Sequence, residues 1–153
     1  NHDDGNQIDD IEKSDIILLG VSRTSKTPTS IYLANRGFKT SNIPLVNKNS
    51  IPSKVTEKNF TPCVVGLVTE AERLYDLRKN RLTSLKEDQN SEYVNIDKIR
   101  DELNSARKIF KENSWPTIDV TRKSVEETAA SVIKIYEIKN KNAWYYFSFK
   151  EPG

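Results

Sequence analysis

The segment GVSRTSKT, residues 20–27, ends in a lysine and a threonine and follows a short apolar run. Loops that bind nucleotide phosphates read G-x-x-x-x-G-K-[S/T] and lie between a strand and a helix. The segment fits this pattern except that Ser25 replaces the second glycine. Such loops bind phosphate through main-chain N–H groups at the positive end of a helix. The spacing therefore predicts a phosphate-binding loop.

The last two residues of this loop have chemical roles in the prediction. Lys26 would stabilise the terminal phosphate as a mobile charge, and the Thr27 hydroxyl would hold Mg²⁺. Ser25 stands where a residue that tolerates positive φ is usual, so we expect the loop to be reshaped there. A serine- and threonine-rich turn with a solvated lysine is the alternative, but the strand and helix on either side favour the binding loop.

Two arginines further along the chain are candidates for contacting a transferred phosphoryl group. Arg78 falls inside the apolar stripe of a predicted helix, and Arg81 lies at the edge of that stripe. An arginine on a core-facing line must be paired or directed at a ligand. The alternative, which helical spacing alone slightly favours, is an arginine that pairs with a nearby carboxylate or extends to solvent.

The sequence offers only a few acidic residues as candidates for a general base or a Mg²⁺ ligand. The segment HDDG, residues 2–5, joins the single histidine to Asp3 and Asp4, either of which could be a general base. Its spacing is a weak metal pattern, and a polar loop is the default interpretation. Asp119 ends a short apolar run, as a Mg²⁺ ligand would, although it could equally cap the following turn.

The elements that must position these residues alternate between strands and helices. Apolar runs predict strands at 15–20, 42–46, 63–68 and 116–120, the second interrupted by proline and therefore near an edge. Helical periodicity predicts helices at 27–36, from 69, around 96–110 and from 125, the last with a capping box of Ser124 and Glu127. The aromatic run 143–149 is predicted to be strand-like. The fold class is therefore α/β, P-loop NTPase-like, with a parallel sheet and helices on both faces.

Length and composition limit the function further. The 153 residues suit one domain at 15–140, between a polar leading segment 1–14 and an aromatic tail 141–153. A net charge of +2, from 24 Lys and Arg against 22 Asp and Glu, argues against a nucleic-acid partner. No apolar run is long enough for a membrane span, and the single cysteine, Cys63, suits the cytoplasm. Because the chain has no methionine, we interpret it as a fragment of a longer protein.

Together, HDDG, the segment DIILLGVSRTSKTPTSIYLANRGFKTSNIPLV, VVGLVTEAERLYDLRKNRL and WPTIDVTRKSVEETAA resemble the pyruvate, phosphate dikinase regulatory protein family, whose bacterial relatives regulate phosphoenolpyruvate synthase. The resemblance covers about residues 2–135, and GVSRTSKTPTS with its serine is more specific than a generic phosphate loop. The tail after residue 138 lies outside it, and the N-terminal region of the family is absent.

The resemblance implies a bifunctional enzyme. Such an enzyme phosphorylates a threonine of the dikinase with ADP, and removes that phosphate with inorganic phosphate to release pyrophosphate. The nucleotide-binding residues carried over are those of the loop: Gly20, Val21, Ser22, Arg23, Thr24, Ser25, Lys26 and Thr27. The resemblance gives no catalytic acid. ADP and Mg²⁺ are the expected cofactors, the dikinase or the synthase is the expected partner, and a homodimer could form.

Two other function classes remain open at this point. A small-metabolite kinase of the shikimate or gluconate kinase type shares the strand, loop and helix at the start of the chain. Such kinases usually carry an acidic residue at the end of the next strand, and NIPLV has none. A nucleotide-sensing module without turnover is the second alternative.

Overall fold

The computed structural model describes residues 8–46, 48–85 and 95–149. Its single sheet has four parallel strands in the order β2-β1-β3-β4: β1 Ile16–Gly20, β2 Thr40–Pro44, β3 Cys63–Val68 and β4 Thr117–Asp119. Every residue of β1 and β3 is buried, as expected for central strands between two helical layers. The proline-containing β2 lies at an edge, which confirms the sequence prediction.

Helices cover both faces of the sheet. They are α1 Lys26–Asn35, α2 Ala71–Leu85, α3 Ile96–Glu112 and α4 Val125–Phe149. Alternate residues of the central strands point to opposite sides, so that Ile17 and Leu19 pack with α2 and α3, whereas Ile16 and Leu18 pack with α1 and α4. The predicted α/β class, with a parallel sheet between two helical layers, is confirmed.

Local signals in the sequence set several helix ends. Ser124 and Glu127 form the predicted capping box, each side chain accepting a hydrogen bond from the other residue's main-chain N–H. Asn95 caps α3 by accepting from the N–H groups of Asp97 and Lys98. Gly37, at φ 95°, follows α1 in the left-handed conformation that helix ends favour.

The prediction of a strand-like run at 143–149 is wrong, because these residues continue helix α4 to Phe149. Residues 125–149 contain neither glycine nor proline, so nothing in the sequence ends the helix before the aromatic run. Once a helix is nucleated, extending it costs less than starting a new element. Within the described part of the chain, no helix is both long and apolar enough to cross a membrane.

The parallel topology brings the functional loops to one edge of the sheet. The segments that follow β1, β3 and β4 all leave from the carboxyl ends of their strands, and the end of β2 lies beside them, with the N–H of Leu45 donating to the carbonyl of Gly20 at 2.9 Å. In open α/β sheets this edge is where ligands bind.

Candidate phosphate-binding cleft

The segment after β1 is a tight loop whose backbone is partly left-handed. Arg23 and Ser25 have φ values of 70° and 68°, although neither is glycine. The sequence predicts that Ser25 reshapes the loop, and in the structure Ser25 itself takes the left-handed conformation, at φ 68° and ψ 22°, as the N-cap residue of α1. This conformation costs a non-glycine residue about 1–2 kcal/mol. The loop therefore tolerates strain at Ser25 rather than avoiding it.

The carbonyl oxygen of Val21 organises the interior of the loop. It accepts a hydrogen bond from Oγ1 of the fully buried Thr24 and another from Nζ of Lys26, both at 2.8 Å. Gly20 lets the loop begin close to β3, because a Cβ there would lie 2.5 Å from Thr24 Oγ1 and 3.0 Å from the carbonyl oxygen of Leu67. These contacts fix both the path of the loop and the position of the lysine.

Lys26 is a buried cation, with 9% of its surface exposed. Burial, with smaller contributions from the nearby charges of Arg78 and Arg23, lowers the pKa of Lys26 from 10.5 to about 8. Desolvation and like charges both disfavour the ammonium form, and a bound anion would reverse these effects. A lysine in this environment is suited to bind phosphate.

A cleft of about 540 Å³ lies in front of the loop. The lining residues that come from the loop, here called the loop bank, are Ser22, Arg23, Ser25, Lys26 and Thr27. The lining residues that come from α2 and the turn after β4, here called the helix bank, are Arg73, Leu77, Arg81, Thr121 and Lys123. Five of these ten residues are cations, and among the described residues none that lines the cleft is acidic. Such a cleft concentrates negatively charged ligands.

The helix bank contains site residues that sequence reasoning missed. Arg73, Leu77 and Arg81 are spaced by four along α2 and so lie on one helical face. Arg81 is a predicted site residue, whereas Arg73 and Leu77 were missed, because the apolar stripe of the same helix is the stronger signal in the sequence. Lys123 and Thr121 come from the turn after β4, and only the fold brings that turn to α2.

Arg78, a predicted contact of the transferred group, lies behind the loop. Its side chain is 1% exposed and forms a bidentate ion pair with Glu102 of α3, at 2.9 and 3.0 Å. Its Nη2 also donates to the carbonyl oxygen of Ser22 at 3.3 Å. Arg78 therefore ties the loop to α2 and α3. Arg81 lies on the other face of α2, with Arg73 and Leu77, and lines the cleft itself.

Asp119 is engaged in the turn after β4. Its carboxylate accepts from both the N–H and the hydroxyl of Thr121, and that hydroxyl accepts from the N–H of Glu70 at 2.9 Å. Burial alone would raise the pKa of Asp119, but the hydrogen bonds from Thr121, with the charges of Arg107 and Arg122, hold it below its usual value. Asp119 thus stays ionised and fixes the turn that carries Lys123.

The remaining predicted acids, Asp3 and Asp4, lie outside the described residues. Within the described residues, no group of three or more His, Cys, Asp or Glu side chains could hold a metal ion. Of the two predicted Mg²⁺ ligands, Thr27 is exposed in the cleft and Asp119 bonds to Thr121. A cation in the cleft would therefore need ligands from a bound phosphate.

The chain is an α/β protein with a cationic cleft at the carboxyl edge of its sheet. The family described as kinase/pyrophosphorylase matches residues 1–133. The chain belongs to this kinase/pyrophosphorylase family.

Three proteins similar to this chain carry the same name. A relative from Pelagibacter ubique is 65% identical over 141 residues, and one from Sphingopyxis alaskensis is 55% identical over 136 residues. A relative from Anaplasma marginale is 49% identical over 142 residues. Each is named as a pyruvate, phosphate dikinase regulatory protein, and the matches cover 92, 89 and 91% of this chain. The chain spans about half the length of these relatives, since it covers 52, 50 and 50% of them.

Proposed function

We propose that this chain carries the nucleotide site of a bifunctional serine/threonine phosphotransferase, which inactivates and reactivates pyruvate, phosphate dikinase or phosphoenolpyruvate synthase. The observation that carries the proposal is the strained loop with its buried Lys26, which faces a cleft lined by five cations. Membership of the kinase/pyrophosphorylase family and the shared name of the relatives support it.

In the kinase direction, the loop bank would bind the diphosphate of ADP. The acceptor threonine oxygen attacks the β-phosphorus, the bond from that phosphorus to the bridging oxygen breaks, and AMP leaves with the bridging oxygen. Lys26 neutralises charge on the transferred group, and main-chain N–H groups of the loop orient the diphosphate. The hydroxyl proton passes to a base, for which we propose Asp3 or Asp4. Full phosphorylation rates in both Asp3→Asn and Asp4→Asn would remove that role.

In the phosphorylase direction, an oxygen of inorganic phosphate attacks the phosphorus of the phosphothreonine. The bond from that phosphorus to the threonine oxygen breaks, pyrophosphate forms, and a proton from the attacking phosphate ends on the threonine oxygen. Both directions move a phosphoryl group between the same two positions, so one cationic cleft can stabilise both transition states. The loop bank would hold the attacking phosphate in place of the ADP diphosphate.

Mg²⁺ fits this cleft only together with a phosphate ligand. Mg²⁺ would neutralise further negative charge, and the Thr27 hydroxyl and phosphate oxygens would hold it. Asp119 is the carboxylate nearest in sequence to the turn that lines the cleft. The use of ADP requires the loop to stabilise a β-phosphate as the transferred group. We propose that Ser25 and Arg23, both left-handed, set that position. Equal use of ATP and ADP by the intact protein would contradict this proposal.

The decisive experiment offers ADP and ATP in separate assays with three acceptors: the dikinase, the synthase and small hydroxyl metabolites. We expect transfer from ADP to one of the two proteins, and no transfer after Lys26→Ala. Phosphorylation of a small metabolite with ATP would instead favour a metabolite kinase. Tight ADP binding with no transfer to any acceptor would favour a nucleotide sensor, and the absence of ADP binding would contradict all three functions.

A further inference from the structure

The helix bank presents three cations that come from other elements than the loop that would hold the nucleotide. We propose that Arg73, Arg81 and Lys123 form a second phosphate subsite, which binds a phosphate monoester, the phosphothreonine of the protein substrate. This inference rests on the proposed function and deepens it. It assigns the two reacting phosphates to different banks, with the diphosphate or free phosphate on the loop bank and the phosphothreonine on the helix bank.

The geometry of α2 is the first support. Arg73 and Arg81 are two helical turns apart on the face that lines the cleft, with the half-buried Leu77 between them. Both arginine side chains are exposed, so their guanidinium groups can meet a ligand that enters from solvent. A guanidinium group offers a planar pair of donors that matches two phosphate oxygens, which makes arginine the usual residue for this recognition.

The turn after β4 supplies the third cation. The Thr121 hydroxyl donates to Asp119 and accepts from the N–H of Glu70, so it has no donor left for a ligand and acts to hold the turn against α2. Lys123 follows this fixed point by two residues and is exposed in the cleft. The bank therefore combines two arginines on a helix with one lysine whose main chain is anchored to the start of that helix.

The charge balance is the second support. In the part of the chain that the structure describes, no carboxylate lies within ion-pair distance of Arg73, Arg81 or Lys123. These three converge on a cleft that already contains Arg23 and Lys26. Like charges that converge without acids are stabilised by bound anions. A phosphomonoester carries about 1.5–2 negative charges near pH 7, so a second phosphate would balance the charge of the helix bank.

Two variants with opposite effects test the assignment. The probes are ADP and the amide of N-acetyl-O-phosphothreonine, each titrated calorimetrically into the 153-residue chain. We expect the double variant Arg73→Gln and Arg81→Gln to weaken binding of the phosphothreonine probe about tenfold or more and to change ADP binding less than threefold. We expect Lys26→Ala to show the reverse pattern.

A double variant with the same loss of charge is the control. Lys79→Gln combined with Lys134→Gln also removes two exposed cations, on α2 and α4, neither of which lines the cleft. Both probes should bind this variant within twofold of the original chain.

Three results would overturn the inference. The first is equal binding of the phosphothreonine probe to the arginine double variant and to the control. The second is equal binding of the probe with and without its phosphate. The third is an ADP loss in the arginine variant as large as its probe loss, which would place the nucleotide on the helix bank. If ADP fails to bind the original chain, the proposed nucleotide function falls, while the phosphothreonine titration still decides the subsite.

Discussion

The two banks of the cleft are both cationic but are built in different ways. In the loop that carries the loop bank, Thr24 and Lys26 are buried, and both bond to the carbonyl oxygen of Val21. On the helix bank, Arg73, Arg81 and Lys123 are exposed side chains on a helix and a turn. A short loop with internal hydrogen bonds holds one geometry, whereas long exposed side chains adopt many rotamers.

Under the proposed function, this difference would separate two tasks of the cleft. The loop bank has the fixed geometry needed to orient a diphosphate for in-line transfer. The helix bank can follow a phosphate that arrives on a large protein, where the position of the group varies. Changes on the loop bank should therefore have large effects, and changes on the helix bank should have moderate ones.

The largest effect is expected from Lys26→Ala. The loss of a buried, charge-assisted donor should weaken ADP binding about 100-fold, as measured by calorimetry. Lys79→Gln, which removes an exposed cation outside the cleft, should leave ADP binding within twofold. If Lys26→Ala weakened ADP binding by less than threefold, the loop bank would not be the diphosphate site.

A smaller effect, on stability, is expected from Glu102→Gln, which removes the carboxylate opposite Arg78. A buried cation that loses its partner is costly, but Glu102 is about one-third exposed and water can replace part of the pair. We expect the free energy of unfolding to fall by about 2 kcal/mol in urea titrations. The matched control is Glu72→Gln, which breaks the exposed pair with Arg100 and should cost about 0.5 kcal/mol or less. Equal losses in the two variants would show that Arg78 does not hold the loop through Glu102.

The pH dependence of binding tests the loop bank through Lys26 alone. Since burial and neighbouring cations place the pKa of Lys26 at about 8, the ammonium form is present below that pH and is lost above it. We expect ADP affinity to fall about tenfold for each pH unit above 8, because ADP binds the ammonium form of Lys26. The fall ends at the higher pH where Lys26 also loses its proton in the complex. Binding at pH 8.5–9 should then take up a proton, which calorimetry in buffers of different ionisation enthalpy measures. An unchanged fall in affinity in Lys26→Arg, whose charge persists, would assign the effect to another group.

The smallest effect is expected from Ser25→Gly. Glycine removes the left-handed strain of about 1–2 kcal/mol, but it also gives the unfolded chain more freedom, which costs about 0.5–1 kcal/mol. The net gain in stability should be about 0.5 kcal/mol by thermal or urea unfolding. Ser25→Ala keeps the strain and gains nothing. A loss of stability in Ser25→Gly would mean that the serine side chain makes a contact that compensates for its backbone.

Much of the fold was predictable because the signals are local. Apolar runs gave the strands, the Ser124 capping box gave the start of α4, and the proline in NIPLV indicated an edge strand. The end of α4 was misjudged because an aromatic run favours strand by composition, while the helix simply continued into it.

The candidate site also has a part that was predictable from the sequence and a part that required the fold. The loop bank is contiguous in sequence, so its motif could be read directly. The helix bank joins α2 to the turn after β4, about 45 residues apart in sequence, and the parallel topology alone brings them together. The partner of Arg78 also required the fold, because Glu102 lies on a different helix.

The Val21 carbonyl has a consequence for how a ligand would enter. An ammonium group has three N–H donors, and Lys26 directs one of them to this carbonyl. Two donors therefore remain for an arriving anion, and the lysine can keep its anchor while it binds. The Lys26 side chain is already ordered in the folded protein, so ligand binding does not include the entropic cost of ordering it. The loop is therefore preorganised for an anionic ligand before that ligand binds.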